Sequence, residues 1–257
     1  MSELLPVAEA LARILAHAGP QPPVIEVPLL DALGRVLAES VVSPIDVPGA
    51  DNSAMDGYAL RLGDASQALP VSQRIPAGTV GSPLTRGTAA RIFTGAAIPP
   101  GADAVVMQED CSEVAGVVTV SGDVSAGQNI RPRGQDIAAG ETTLNKGRVL
   151  RPQDLGLLAS VGCAKVKVFR PLRVAALSTG DELVEPGNSQ LAEGEIYNSN
   201  RYTLAGLLRN LNMEMIDCGI VADNPEATSR ALRDAASRAD CVITTGGVSV
   251  GEEDHVK

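Results

Sequence analysis

The spacing of apolar residues changes character along this chain. Between residues 2 and 18, Val7, Leu11 and Leu15 recur at helical spacing, which predicts an amphipathic helix. Residues 60–140 instead carry short apolar runs separated by turn-forming residues, the pattern of a small β domain. The chain therefore contains segments of different architecture.

The C-terminal part of the chain alternates strand and helix patterns. Its strands are predicted at 174–177, 215–221 and 242–243, and the helices between them begin near Asn198 and at 223–225. This order of strand, helix, strand, helix, strand is that of a parallel α/β sheet. Two shorter helices are predicted earlier, at 31–37 with Asp31 as its cap, and at 152–161.

Three loops leave the carboxyl ends of these predicted strands, at 178–182, 221–224 and 244–254. Each loop contains acids, and two contain glycine at the turn. Ligands of open parallel sheets bind at that edge. The convergence of all three loops indicates a ligand site rather than three unrelated solvated turns.

The last of these loops has residues for both an anion and a cation. Gly246, Gly247 and Gly251 free the backbone, whose N–H groups can cradle an anion. The acids at 252–254 could hold a hard cation such as Mg²⁺, so a nucleotide-like or phosphorylated ligand would fit. Taken alone, these residues fit a glycine-rich connection with a solvated acidic end equally well.

Composition narrows the classes of function. The 257 residues include 31 acids and 21 bases, and this net charge of −10 argues against a nucleic-acid surface. No apolar run approaches a membrane span, and no signal-peptide pattern opens the chain, so we expect a cytoplasmic protein with no membrane partner. The four widely spaced cysteines signal neither a zinc site nor a disulfide framework.

Two polar clusters flank the β-rich segment. Residues 51–58 (DNSAMDGY) are dense in turn formers and would present Asp56 at the start of a strand. Residues 131–136 (RPRGQD) are the densest basic spot of the chain, and their two arginines could bind a phosphate or oxyanion. Taken alone, the first cluster is better explained as a tight bend and the second as an exposed charged turn, and a functional role for either stays open at this point.

Taken together, the motifs of this chain resemble those of the MoeA family of molybdopterin molybdenumtransferases, to which the gephyrin E domain is related. The matching stretches are 51–58 (DNSAMDGY), 92–95 (IFTG), 104–109 (AVVMQE), 130–136 (IRPRGQD), 177–183 (LSTGDEL), 198–200 (NSN) and 246–251 (GGVSVG) with Asp254. The resemblance covers essentially all of the chain but only the N-terminal part of such a protein. It implies that the rest of a third domain, a small β-rich fourth domain and cationic residues that approach the substrates lie beyond Lys257.

The resemblance implies an α/β multidomain fold. A small β-rich domain, residues 46–140, would be inserted into a helical first domain formed by 1–45 and 141–170. Residues 171–257 would form an incomplete parallel three-layer α/β domain, similar to stand-alone molybdopterin-binding proteins. The family resemblance also implies an elongated homodimer.

The implied reaction belongs to molybdenum cofactor biosynthesis. It inserts molybdate into the dithiolene of adenylylated molybdopterin and releases AMP with the help of Mg²⁺. A molybdopterin adenylyltransferase would hand over the pterin substrate. Two alternatives from other classes are a module that only binds or adenylylates molybdopterin and an interaction scaffold. The transferase is preferred because Asp56, Thr94 and Asp136 lie in the β domain, where a pterin-only module has no use for them.

The resemblance also assigns roles to individual residues of this chain. Catalytic roles are implied for Asp56, Thr94, Asp136, Glu182, Asp223 and Asp254. Metal binding is implied for Glu182, Asp223 and Asp254. Binding of the pterin and its phosphates is implied for Arg131, Ser178, Thr179, Gly180, Asn198, Gly246, Gly247, Ser249 and Gly251.

Overall fold

The computed structural model of the chain describes residues 5–19, 21–187, 190–247 and 256. It divides into two compact units. The first, here called the α/β unit, comprises Met1–Glu39, Lys146–Leu155 and Lys165–Lys257, and the second, the β unit, comprises Ser40–Asn145 and Gly156–Ala164. Among the described residues, no helix combines the length and the apolar character needed to cross a bilayer.

Asparagine side chains cap two of the helices. Asn198 Oδ1 accepts a hydrogen bond from the Arg201 N–H at 3.4 Å, and Asn224 Oδ1 accepts one from the Ala227 N–H at 2.8 Å. Pro225 follows Asn224 as the first residue of its helix, where its missing N–H leaves no bond unmade. The helices are α1 (Val7–Ala16), α2 (Pro152–Ser160), α3 (Ser199–Asn210) and α4 (Pro225–Arg238).

The strands are mostly short and concentrated in the β unit. The first eleven are β1 (Val24–Pro28), β2 (Val41–Val42), β3 (Asn52–Ser53), β4 (Gly57–Leu60), β5 (Leu69–Ile75), β6 (Ala89–Ile92), β7 (Ala104–Met107), β8 (Cys111–Val114), β9 (Val117–Val120), β10 (Ile130–Arg131) and β11 (Thr142–Leu144). The remaining six are β12 (Lys165–Phe169), β13 (Arg173–Thr179), β14 (Leu183–Val184), β15 (Ile196–Tyr197), β16 (Glu214–Val221) and β17 (Cys241–Thr245).

A six-stranded sheet forms the centre of the β unit, with the strand order β7-β4-β6-β5-β9-β8. All four residues of β4 are buried, and they alternate between two apolar clusters. Tyr58 and Leu60 pack in one cluster, whereas Ala59 packs in the other. Apolar residues therefore follow one another without interruption in β4, because both faces of this strand are covered.

The α/β unit contains the parallel sheet that the sequence predicts. Its order is β16-β13-β17, and both outer strands run parallel to β13. Ala175 and Leu177 of β13 share a core cluster with Ala235 of α4. The central strand is thus buried, and the ends of its neighbours lie beside its own end. A three-layer arrangement and the insertion of one domain into another stay predictions.

One predicted element is wrong. Residues 31–37 do not form a helix, and a single 3₁₀ turn, Leu29–Asp31, takes its place. The N–H groups of Gly34 and Leu37 donate instead to the carbonyls of Leu150 and Arg148, at 2.8 and 2.9 Å. Backbone pairing with a distant segment therefore replaces the local helical bonds. The helix expected at 152–161 is confirmed as α2.

The packing at the start of β4 leaves no space for a side chain at Gly57. A Cβ atom at Gly57 would lie 1.9 Å from the Val106 carbonyl oxygen on the adjacent strand β7. We expect Gly57→Ala to lower the free energy of unfolding by at least ~2 kcal/mol, because the backbone of β7 must move to admit the methyl group.

Urea denaturation followed by circular dichroism measures this loss. Gly63→Ala is the matched control, because no atom lies within 4 Å of a Cβ built there. That variant should stay within ~0.5 kcal/mol of the parent chain. Equal stability of the two variants would contradict the close approach of β4 and β7.

Candidate functional site

A polar pocket of about 140 Å³ opens at the carboxyl end of β13. Thr179 and Glu182 line it from the loop after β13, and Asn198 lines it from the start of α3. Thr245 and Gly246 contribute from the end of β17. Two of the three loops predicted to converge at this edge of the sheet therefore border one pocket.

Buried hydrogen bonds fix the floor of this polar pocket. Ser178 and Asn198 are only 3% and 2% exposed. Asn198 Nδ2 donates to Ser178 Oγ at 3.1 Å, and Thr245 Oγ1 donates to the same hydroxyl at 3.0 Å. These bonds join the ends of β13 and β17 to the cap of α3. Breaking one of them would leave a buried polar group unpaired, which is costly in free energy.

The hydroxyl of Thr179 has no such partner. Thr179 is 4% exposed, and its Oγ1 makes no hydrogen bond within the described part of the chain. Gly246 and Gly247 lie directly against it: a Cβ at Gly246 would be 2.3 Å from the Thr179 carbonyl oxygen, and one at Gly247 would be 2.8 Å from Oγ1. Such an unsatisfied group beside a glycine turn is a candidate ligand contact.

The acidic loops approach one another at the same edge of the sheet. Asp181 Oδ1 accepts a hydrogen bond from the Asp223 N–H at 3.2 Å, which joins the loop after β13 to the loop after β16. The Glu182 carboxylate folds back over Gly180, with Oε2 2.5 Å from the position of a Cβ there. Sequence reasoning missed Asp181, although it lies within the motif at 177–183.

The predicted metal ligands can be compared with the chemistry of Mg²⁺. No three acids, histidines or cysteines of the described residues lie close enough together to hold a metal ion. Mg²⁺ usually binds one or two carboxylates and completes its shell with waters and substrate phosphates. The roles of Glu182 and Asp223 as Mg²⁺ ligands stay predictions. Asp254, the third predicted ligand, lies outside the described residues.

In the β unit, the structure brings Asp56 and Thr94 together. The Thr94 N–H and its hydroxyl both donate to Asp56 Oδ1, each at 2.8 Å. These bonds, strengthened by the charge of Arg91, hold the pKa of the Asp56 carboxyl below its usual value. Asp56 is thus a fixed, ionised carboxylate at the start of β4.

Arg91 braces the backbone around Asp56, a role that sequence reasoning missed. Its guanidinium donates to the Gly57 carbonyl at 3.1 Å and to Gln108 Oε1 at 2.5 Å. The Gln108 N–H in turn donates to the Asp56 carbonyl at 3.0 Å. The same guanidinium stacks on Phe93, 4.8 Å from the ring centroid. The sequence signal that could have identified Arg91 is its position one residue before the motif at 92–95.

The arginines of the basic cluster are already paired with acids. Arg131 contacts Asp136 at 2.6 Å, and Arg133 contacts Asp46 at 2.5 Å. The Arg133 N–H also donates to Asp51 Oδ1 at 2.8 Å. An anionic ligand at Arg131 would have to compete with Asp136 for the guanidinium, and that role stays a prediction.

The predicted residues thus form two groups. Asp56, Thr94, Arg131 and Asp136 belong to the β unit, and Ser178, Thr179, Gly180, Glu182, Asn198, Asp223, Gly246 and Gly247 belong to the α/β unit. Ser249, Gly251 and Asp254 lie outside the described residues.

Comparison with known proteins covers nearly the whole chain. A family model described as "MoeA N-terminal region (domain I and II)" matches residues 5–162, and one described as "Probable molybdopterin binding domain" matches residues 175–257. These two matches agree with a β-rich N-terminal part that is followed by an α/β domain.

Curated relatives carry the name of a molybdopterin molybdenumtransferase. The Haemophilus influenzae protein is 48% identical over 236 residues, which cover 89% of this chain and 57% of the relative. The Nostoc protein is 42% identical over 238 residues, which cover 90% of this chain and 54% of the relative. The chain therefore spans little more than half the length of these relatives.

A solved structure is also similar. The crystal structure of the molybdopterin biosynthesis MoeA protein from Pyrococcus horikoshii OT3 aligns with a TM-score of 0.89 at 38% sequence identity. The alignment covers 95% of this chain and 67% of that one. Since the N-terminal model alone matches residues 5–162, more than half of the sequence, the chain belongs to the MoeA family.

Proposed function

We propose that this chain is part of a molybdenumtransferase that inserts molybdate into adenylylated molybdopterin, with Mg²⁺-dependent release of AMP. The observation that carries the proposal is the buried Thr179 hydroxyl beside Gly246 and Gly247, which has no hydrogen-bond partner among the described residues. It lies within the segment matched by a molybdopterin-binding model. The names of the curated relatives support the reaction class.

In this proposal the α/β unit holds the pterin substrate. The Thr179 hydroxyl donates to the pterin or its phosphate, and Ser178 and Asn198 keep the floor of the polar pocket rigid. The N–H groups of Gly246 and Gly247 face the phosphate, since a glycine turn lets the backbone approach an anion closely. Pre-organised donors reduce the entropy lost on binding.

Glu182 and Asp223 would hold the Mg²⁺ ion together with the substrate phosphates, with Asp254 as a third proposed ligand. Bound there, Mg²⁺ would neutralise the negative charge that develops as AMP leaves. The carboxylates by themselves would repel the phosphates, so substrate binding should depend on the cation.

The β unit contributes a second set of polar groups. A carboxylate whose pKa lies below its usual value is a weak base, so Asp56 suits cation binding or the orientation of a water molecule better than proton abstraction. Thr94 fixes the direction of that carboxylate, and the paired Arg131 and Asp136 would meet the anionic substrates. We further propose that the protein is a homodimer that receives its pterin from a molybdopterin adenylyltransferase. The domains that we propose are a first domain of residues 1–45 with 141–170, an inserted domain of residues 46–140 and a third domain of residues 171–257.

The test of pterin binding is Thr179→Val, which replaces the unpaired hydroxyl by a methyl group of similar shape. We expect roughly 3- to 10-fold weaker binding of adenylylated molybdopterin, the usual value of one neutral hydrogen bond. Stability should hold or rise, because no hydrogen bond within the described chain is lost. Isothermal titration in the presence and absence of Mg²⁺, with thermal melting of the same samples, measures both quantities.

Thr228→Val is the matched control for this experiment. Thr228 on α4 is 1% exposed and its Oγ1 is also without a partner in the described residues, but it does not line the polar pocket. Its replacement should leave the affinity unchanged. Unchanged affinity in the Thr179 variant would remove the observation on which the proposal rests, and pterin binding without molybdate insertion by a longer chain would favour a binding module.

The Asp56 environment yields a prediction about pH. Thr94→Val removes one of the two donors to Asp56 Oδ1, so the pKa of Asp56 should rise, whereas Thr94→Ser keeps the hydroxyl and should preserve the lowered value. Carbon-13 NMR titration of the aspartate carboxyls follows the change, with Asp56→Asn for assignment.

The direction of the pKa shift of Asp56 determines how the stability of the fold changes with pH. Since the folded pKa is depressed, the contribution of Asp56 is complete above its ordinary pKa of 3.8 and is lost as the pH falls through the folded value. The valine variant should therefore lose less stability than the parent chain on acidification. An identical Asp56 titration in both Thr94 variants would show that the hydroxyl does not hold the carboxylate.

A further inference from the structure

A second cavity lies at the opposite edge of the parallel sheet from the polar pocket. It encloses about 320 Å³ within the α/β unit. Leu172 and Met213, which line it, immediately precede β13 and β16. Because these strands are parallel, the cavity borders their amino ends, whereas the polar pocket borders the carboxyl end of β13. The proposed transferase reaction makes no use of this cavity.

Most of the wall of this cavity is apolar. Its volume lies at the lower end of the range for small-molecule sites, roughly 300–1,000 Å³. Leu211 lies at its border with 64% of its surface exposed. The apolar lining comprises Val36, Phe169, Pro171, Leu172, Leu211 and Met213.

The charged residues around this cavity all carry the same sign. Arg35, Lys146 and Arg170 line it, and no acid does so in the described part of the chain. This is unusual for a chain with 31 acids and 21 bases. Arg170 is neutralised by Asp240, whose carboxylate oxygens accept from it at 2.8 and 2.9 Å. Arg35, by contrast, makes no ion pair with an acid of the described residues.

Arg35 and Lys146 are placed to serve a ligand with both an apolar and an anionic part. Arg35 is half-buried, and its guanidinium has no hydrogen-bond partner among the described residues. The Lys146 ammonium lies 5.7 Å from the centroid of the Phe169 ring, at the junction of the apolar wall and the charge. A guanidinium beside an apolar wall favours a carboxylate, sulfonate or phosphate oxygen.

The wall that carries Arg35 is held in place by the backbone. The Gly34 and Leu37 N–H groups donate to Leu150 and Arg148 carbonyls at 2.8 and 2.9 Å, and the Leu150 N–H donates to the Arg35 carbonyl at 2.8 Å. The segment on either side of Arg35 is thus paired. Because this wall is already ordered, less conformational entropy is lost when a ligand binds.

We propose that this cavity binds a small organic anion, composed of a flat apolar body and one carboxylate, sulfonate or phosphate group. The apolar body would lie against Phe169, Leu172 and Met213, and the anionic group would face Arg35 and Lys146. The site is separate from the pterin pocket, so it would be occupied independently of the proposed transferase substrates.

A pair of fluorescent probes tests this proposal on the 257-residue chain. The sulfonate 8-anilinonaphthalene-1-sulfonate carries the charge, and N-phenyl-1-naphthylamine has the same ring system without it. We expect saturable binding of one sulfonate probe per chain, about tenfold weaker in Arg35→Gln and in Lys146→Gln, because each variant removes a charged contact. Binding of the uncharged probe should be the same in all variants.

Arg86→Gln is the control for the change of net charge. Arg86 is exposed, belongs to the β unit and does not line the cavity, so its loss should leave both probes unaffected. Melting curves of each variant establish that the fold is kept, since the sulfonate probe also binds loosened proteins. Equal binding of the sulfonate by the parent chain and the Arg35 and Lys146 variants would overturn the proposal.

Displacement of the bound sulfonate separates the apolar part of the ligand from its charge. We expect 1-naphthoate to displace the probe and inorganic phosphate to fail at the same concentration, because phosphate has no apolar body to bury. Displacement by phosphate as effective as that by naphthoate would reduce the site to a simple anion site and contradict the proposal. Addition of adenylylated molybdopterin should not displace the probe, and competition would place the two ligands in one site.

Discussion

The pairing of buried polar groups at the end of β13 is the interaction on which the proposed pterin site depends. Ser178 directly follows the four apolar residues 174–177 of β13, and its hydroxyl is satisfied by Asn198 and Thr245. Because Asn198 also caps α3, one side chain links the position of a helix to the end of a strand. The loops that border the polar pocket therefore start from fixed points.

In the β unit, a few hydrogen bonds likewise fix the position of Asp56. Asp56 is positioned through its side chain by Thr94 and through its backbone by Gln108, and Arg91 connects Gln108 to the next residue along. Since Gly57 lies against the backbone of β7, this corner of the sheet has no room to adjust. A carboxylate that is ionised and immobile suits a role in which it binds or orients, as the proposed function requires.

Local patterns in the sequence predict the fold of the α/β unit well, and they predict contacts between distant residues poorly. The strands β13, β16 and β17, and the caps Asn198 and Asn224, follow from apolar runs and cap residues that act within a few positions of the chain. The helix predicted at 31–37 fails because its N–H groups bond to carbonyls more than a hundred residues away, which no local pattern records. Tertiary pairing here overrides a weak local preference.

The candidate site shows the same division. The motifs place Thr179, Gly246 and Glu182 at one edge of the sheet. That the Thr179 hydroxyl is buried with no partner in the described part of the chain appears only in three dimensions. Arg91 and Asp181 were missed because their partners are the backbone of Gly57 and that of Asp223. The cavity lined by Arg35 and Lys146 gave no sequence signal, since its cations come from segments that are far apart in the chain and individually ordinary.

The contact between Thr179 and the glycine turn also bears on how this site can vary among related chains. A side chain at Gly246 would displace the end of β13, and with it the Ser178 hydroxyl that Asn198 and Thr245 share. The effects of substitutions at these positions are therefore expected to be coupled. Changes in ligand preference within this fold should arise at the border of the pocket, at positions such as Tyr197 or Asn200, while the glycine turn and the strand end are inherited together.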